Sequence, residues 1–415
     1  MWSKSGPFFL TNKRVLQQSA LKNICFSNDI LSSSALRLGP YAKFPFLPNT
    51  RLRFLTTHNE PSKATETIAK VCHPNTTSTS HIPFEVKSKE CIKDGRSVLQ
   101  QYLAGEPKTF KQLKDPFWTL TKPSLTFLIM LSSICSYTLA PGSTDIITFT
   151  SLTLGTLLAS GAANAINMGR EPAFDSQMTR TSSRPVVTGL VTPKEAFSFA
   201  TITGTLGCTI LYFGVNPIVS GLGFLNIVLY SWLYTSLKRK SIINTWVGAV
   251  VGAIPPLMGW GACSSLEDPG AWCLALLLYA WQFPHFNSLS HNIRKEYKRA
   301  GYVMTAFVNP MLNARVSLRY SLAMFPICIA MSYFGVCDQW FILDSSIVNG
   351  WMTYMSARFW WEQRRTSGKG GAIADMWAKK TFWSSIWHLP LVLVLAMLHK
   401  QGQWDRFLGN EKKLD

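Results

Sequence analysis

A chain of 415 residues that is 47% hydrophobic and only 15% charged, with 15 Trp and 25 Phe, reads as one large membrane unit rather than two or three soluble domains. Its net charge of +19 does not point to nucleic acid, because the basic residues sit in short clusters between apolar spans, where membrane topology places them. The nine cysteines (Cys25, Cys72, Cys91, Cys135, Cys208, Cys263, Cys273, Cys328, Cys337) form no C-x-x-C pair and no zinc-like spacing, so they read as small buried hydrophobes and not as a disulfide framework.

Residues 1–57 carry Lys4, Lys13, Arg14, Lys22, Arg37, Lys43, Arg51 and Arg53 against a single acid, Asp29. This basic, Ser-rich, acid-poor mixture reads as a mitochondrial transit peptide, with processing near RLRFLTT (51–57). A secretory signal needs an unbroken apolar core, which MWSKSGPFFLTNKRV lacks. Residues 58–115 follow as a loosely structured soluble arm rich in Pro, Ser, Thr and Lys.

From Pro116 to 398 the hydropathy predicts an all-α, polytopic membrane domain with nine spans of roughly 20 residues each. They run over 123–140, 146–166, 194–214, 217–236, 242–262, 270–288, 315–336, 341–360 and 378–398, and a tail, 399–415, ends the chain. The connections after the first, third, fifth and seventh spans contain no Lys or Arg. Those after the second, fourth, sixth and eighth hold Arg170, Arg180 and Arg184; Lys238, Arg239 and Lys240; Arg294, Lys295, Lys298 and Arg299; and Arg364, Arg365 and Lys369. The bias places these four long polar loops and the N-terminus on one side, the matrix in a mitochondrial inner membrane, and chemistry on soluble groups belongs there.

The first of these loops is NMGREPAFDSQMTRTSSRP (167–185). Asn167, Glu171 and Asp175 fall at i, i+4 and i+8, which on a helix is one face of oxygen-bearing side chains. Such hard ligands suit Mg²⁺, which takes one or two carboxylates and fills its shell with water and phosphate oxygens. Arg180 and Arg184 repeat the spacing and offer forked donors for phosphate. Together they make a coherent diphosphate site, while a solvated loop whose acids pair with its arginines is the plainer alternative. Pro172 biases Glu171 away from helical geometry, so a kink or an end is expected there.

YAWQFPHFNSLSHNIRKEYKRAGYVM (279–304) is the second loop, with His285, His291, Glu296 and Tyr297. Pro284 is expected to disturb the helix end and expose His285, and Trp281, Phe283, Phe286 and Tyr297 lend an aromatic surface suited to a flat apolar substrate. From its surroundings His285 fits an axial ligand, a hydrogen-bond donor, a base or an interfacial residue without chemistry. In YTSLKRKSIINTWVGAVVGAIPPLMGW (234–260), Lys238, Arg239 and Lys240 fit phosphate or propionate binding and topology equally. Gly248, Ala249, Gly252 and Ala253 allow close helix packing there, and Pro255 and Pro256 are expected to break or kink the fifth span. His388, in FWSSIWHLP (382–390), is an ionisable group within an apolar helix.

LTKP (120–123), N-x3-E-x3-D (167–175), M-x-R-T-x-x-R-P (178–185), the 234–260 segment, WQFPHF (281–286) and SIWHLP (385–390) together make the chain resemble the UbiA superfamily of intramembrane prenyltransferases, in its haem-modifying branch. The resemblance covers 116–395 and implies nine helices around a central cavity open to lipid. It implies transfer of farnesyl from farnesyl diphosphate to the 2-vinyl group of haem b, with addition of water, to give haem O, and hand-over of product to haem A synthase; it leaves a homo-oligomer open. Mg²⁺ on Asn167, Glu171 and Asp175, with Arg180 and Arg184, would serve diphosphate departure. Lys122, Lys238, Arg239, Trp281, His285, Glu296, Tyr297 and His388 would bind the substrates. Two departures from the family pattern stand out: Glu171 replaces the usual Asp, and a second D-x3-D motif is absent, with Glu296 the nearest acid and Asn292 four residues before it. Prenyl transfer to an aromatic quinone precursor is the rival chemistry, and a transporter is disfavoured because the halves show no clear paired repeat.

Overall fold

Proline and a capping side chain together begin four of the nine long helices. In the computed structural model, which describes residues 95–404, the pairs Thr192–Pro193, Asn216–Pro217, Asp268–Pro269 and Asn309–Pro310 each place a capping oxygen on a free helical N–H and a proline where its missing N–H costs nothing. Among the described residues nine long helices result. They are α1 Pro123–Leu139, α2 Ile146–Arg170, α3 Pro193–Gly214, α4 Pro217–Leu237, α5 Asn244–Trp260, α6 Pro269–Asn292, α7 Pro310–Tyr333, α8 Trp340–Arg365 and α9 Ala372–Leu398. Each overlaps one expected span. Five of them (α2, α3, α4, α7 and α9) are long and apolar enough to cross a membrane. No strand occurs among the described residues, only an isolated bridge between Cys337 and Lys400. The six described cysteines are free.

The 1–57 segment lies outside the described residues, as do most of the arm and the end of the tail. Where the arm is described it is ordered rather than loose: helices cover Val98–Leu103 and Phe110–Leu120, and the buried Ser97 donates a hydrogen bond to Glu195 at 2.5 Å.

The prolines act differently from expectation. α5 runs unbroken through Pro255 and Pro256, and α6 continues past Pro284 to Asn292, so Pro284 is buried inside a helix instead of marking its end. Packing explains this: α5 lies against α1 and α6, and α6 against α7 and α9, so neighbours confine the backbone where a hydrogen bond is lost. Small residues allow that closeness. A Cβ on Gly252 would meet the Gln282 amide at 2.3 Å, and one on Gly248 would meet the Tyr234 ring at 2.9 Å.

Leu274, Leu277, Met324, Phe341, Met352 and Val392 close the core between α6, α7, α8 and α9. Outward, Phe213 and Trp387 are 82% and 75% exposed, a lipid-facing surface on a membrane protein. At one end Glu171 meets Lys238 and the Thr179 N–H meets Glu296, joining three of the long polar connections, and His291 in the last turn of α6 meets Asp375 in the first turn of α9. At the other end the Asn216 amide donates to the Gly261 carbonyl and Lys400 to that of Thr138, joining the connections without basic residues. A Cβ on Gly259 of α5 would lie 1.9 Å from the Ser133 carbonyl oxygen of α1. Gly259→Val is therefore expected to cost about 1–3 kcal/mol of stability, read as a lowered unfolding midpoint in detergent; an unchanged midpoint would refute so close a crossing.

Candidate active site

Pro172 determines the shape of the acid loop. α2 stops at Arg170, Glu171 takes φ −120° and ψ 23°, and a four-residue helix, Pro172–Asp175, restarts the chain. The three oxygen-bearing residues thus do not share one continuous helical face. Asn167 still donates its amide to Glu171 Oε2 at 2.7 Å, and Glu171 and Asp175 are 1% and 2% exposed.

Each acid meets a cation. Lys238, just past α4, lies 2.5 Å from Glu171 Oε2, and Arg184 lies 2.5 Å from Asp175 Oδ2. Lys122 enters from the N-cap of α1 with left-handed backbone, φ 49° and ψ 67°, a conformation costing about 1–3 kcal/mol outside glycine. Its Nζ donates to Asn167 Oδ1 at 2.8 Å and to the Tyr230 hydroxyl at 3.1 Å, contacts that hold that conformation. Burial pushes the Lys122 amine well below the ordinary lysine range, and Arg184 and Lys238 add like-charge repulsion that Asp175 and Glu171 only partly offset. Burial lowers Lys238 too, against the pull of Glu171. Three cations so placed attract an anion.

Aromatic rings surround them. The stretch Leu229–Tyr234 of α4 is π-helical, and Arg170 donates to the Ser231 carbonyl and to Ser236 Oγ while stacking 4.8 Å from the Trp232 ring. Tyr230 and Tyr234 stack at 5.5 Å, and the Lys238 ammonium sits 5.2 Å from the Tyr234 ring and 5.3 Å from the Tyr302 ring. Burial, with Glu171 and Asp175 nearby, holds the Tyr302 hydroxyl well above the ordinary tyrosine range, so it stays protonated. Arg170, Tyr230 and Tyr302 escaped sequence reasoning. A π-turn leaves no periodic signature, and the one available signal was the aromatic run YSWLY (230–234) beside the basic cluster.

The remaining candidates fall in three places. Arg180 is exposed and makes no hydrogen bond among the described residues, although its charge reaches Tyr297, which is buried 5.9 Å from Tyr302. Arg239 stacks 4.1 Å from the Phe174 ring, and Glu296 accepts the Thr179 N–H at 3.1 Å, holding the two polar loops together. Trp281 and His285 form a second cluster between α6 and α9, both bonded to Ser385. His388 is buried with Nε2 2.9 Å from Asn349 Oδ1.

Glu171 Oε1 is buried with no hydrogen-bond partner, a carboxylate oxygen with unused acceptor capacity. With Asp175 and the amide oxygen of Asn167 it makes an all-oxygen donor set that fits a hard divalent cation. Among the described residues no group of three His, Cys, Asp or Glu side chains forms, so such a site has two carboxylates at most.

Residues 129–386 match the UbiA prenyltransferase family, and the chain belongs to that family. It is 57% identical over 369 residues to the mitochondrial protoheme IX farnesyltransferase of Debaryomyces hansenii, covering 87% of this chain and 80% of that one. It is 51% identical over 399 residues to the protein of the same name from Eremothecium gossypii, covering 94% and 91%. Among solved structures it shares its fold with a digeranylgeranylglyceryl phosphate synthase (TM-score 0.58, 15% identity, 70% of this chain and 99% of that one). A UbiA homolog from Archaeoglobus fulgidus bound to DMAPP and Mg²⁺ also aligns (TM-score 0.50, 11% identity, 68% and 98%).

Removing Lys238 leaves Glu171 buried without its cation. Lys238→Met is expected to cost about 3–5 kcal/mol, and adding Glu171→Gln should restore most of it. Chemical unfolding of the four-variant cycle checks this; additive effects would mean that the pair is not coupled.

Proposed function

We propose that this prenyltransferase moves the farnesyl group of farnesyl diphosphate to the 2-vinyl group of haem b, with addition of water, to give haem O. The observation that carries the reading is the buried cluster of two carboxylates and three cations, Lys122, Lys238 and Arg184, in a chain so similar to two protoheme IX farnesyltransferases.

Mg²⁺ is the proposed metal, held by Glu171 and Asp175 with Asn167 assisting; when bound it supplies neutralisation of the departing diphosphate. Its support is the all-oxygen donor set with the unpartnered Glu171 Oε1, and the Archaeoglobus fulgidus homolog is bound to this ion. Arg184, Lys122 and Lys238 share the diphosphate charge, and Arg180 reaches it from the exposed side. Tyr230, Tyr234 and Tyr302 already present rings to the lysine ammonium groups, and the same faces favour the positive charge that develops on the farnesyl chain. Burial keeps water from capturing that charge early. Trp281 and His285 position the porphyrin, and Arg239 offers a partner for a propionate.

The reaction is placed on the matrix face of the mitochondrial inner membrane, consistent with the basic loops at one end of the bundle and the mitochondrial relatives. Residues 1–57 then act as the transit peptide, and haem O passes to haem A synthase. Purified protein incubated with haem b, farnesyl diphosphate and Mg²⁺ should yield haem O by mass. Prenylated 4-hydroxybenzoate in place of haem O would overturn the assignment in favour of a quinone precursor. Asp175→Ala should abolish turnover, by at least about 10²-fold, while the protein elutes as folded; near-normal turnover removes Asp175 from the site.

A further inference from the structure

Four histidines lie among the described residues, and three are committed elsewhere. His291 Nε2 is 2.8 Å from Asp375 and His388 Nε2 is 2.9 Å from Asn349, and the Nδ1 atoms of both are fully buried without partners. His399 uses both nitrogens, Nδ1 at 3.1 Å from Asp338 and Nε2 at 3.0 Å from Asp344.

His285 differs. Ser385 donates its one hydroxyl proton to the Phe382 carbonyl at 2.5 Å, so toward His285 Nδ1, 2.8 Å away, its oxygen accepts. Nδ1 therefore carries the ring proton and Nε2 carries the lone pair. Nε2 makes no hydrogen bond and, unlike the bare nitrogens of His291 and His388, is not among the fully buried unpartnered atoms. The ring is held by stacking on Trp281 (4.6 Å, 18°) and by Phe382 at 5.1 Å, while the Trp281 indole donates to the Ser385 carbonyl at 2.9 Å. A neutral imidazole with a fixed tautomer, a fixed plane and an accessible lone pair is the arrangement that metal-binding histidines adopt.

We propose that His285 Nε2 is the axial ligand of the iron in the haem substrate, with Ser385 as the positioning residue that holds its tautomer. The assignment deepens the haem reading of the active site and rests on it. Coordination moves no proton and changes no oxidation state: the Nε2 lone pair fills a vacant axial position on ferric iron. Ligation through a helix residue clamped between α6 and α9 fixes where the vinyl edge of the porphyrin can lie.

The test is optical and paramagnetic titration of the full-length protein in detergent with ferric protoporphyrin IX. Wild type is expected to give a nitrogen-ligated spectrum. His285→Ala should lose it and regain it with added imidazole, a rescue that a misfolded protein would not show. Ser385→Ala should keep the spectrum and bind haem about 10-fold more weakly. His399→Ala, at a histidine bonded through both nitrogens to Asp338 and Asp344, should match wild type. A wild-type protein without nitrogen ligation, or a spectrum indifferent to His285, overturns the proposal. A His285-dependent spectrum without any prenylated haem would instead uphold the ligand and overturn the reaction, and turnover with an indifferent spectrum would do the reverse.

Discussion

Two carboxylates buried at the end of a helical bundle demand counter-charge, and much of the active-site end is arranged around supplying it. Glu171 is met by Lys238 and Asp175 by Arg184, while Lys122 reaches Asn167 from the start of α1. These contacts tie α1, α2 and the ends of α4 and the 171–192 loop to one point. Burial strengthens each attraction and makes any lone partner costly, so the cluster favours one arrangement of the loops. In the proposed reaction the same cations meet the diphosphate, so that structural pairing and substrate binding use one set of side chains.

The scaffold serves that cluster by controlled irregularity. Pro172 ends α2 beside Glu171, and the π-turn Leu229–Tyr234 turns Tyr230 and Tyr234 so that Tyr230 meets Lys122 and the Tyr234 ring faces Lys238. Arg170 joins these two irregularities by donating to the Ser231 carbonyl, one of the backbone groups in the altered turn. Elsewhere the bundle is regular and close, with Gly252 and Gly259 admitting neighbours that any side chain would repel. A rigid bundle carrying a locally broken end is well suited to chemistry that depends on positioning and electrostatics.

The sequence by itself determined the helical class, the places of the long helices and the side on which the polar loops gather, because apolar length and Lys/Arg asymmetry are local quantities. It also marked Asn167, Glu171, Asp175 and Arg184, which the fold joins as Asn167 to Glu171 and Arg184 to Asp175 even though the helix breaks between them. Pro284 and Pro255–Pro256 were misleading, since a proline's effect on a helix depends on how tightly neighbours confine it. Which acid meets which cation was decided only by the tertiary structure, for Glu171 and Lys238 are 67 residues apart. The availability of His285 depends in the same way on Ser385, 100 residues along the chain, whose single hydroxyl proton is already given to the Phe382 carbonyl. A hydrogen bond or ion pair between distant residues leaves no period in the sequence, and it comes into being only when packing brings the two groups within reach.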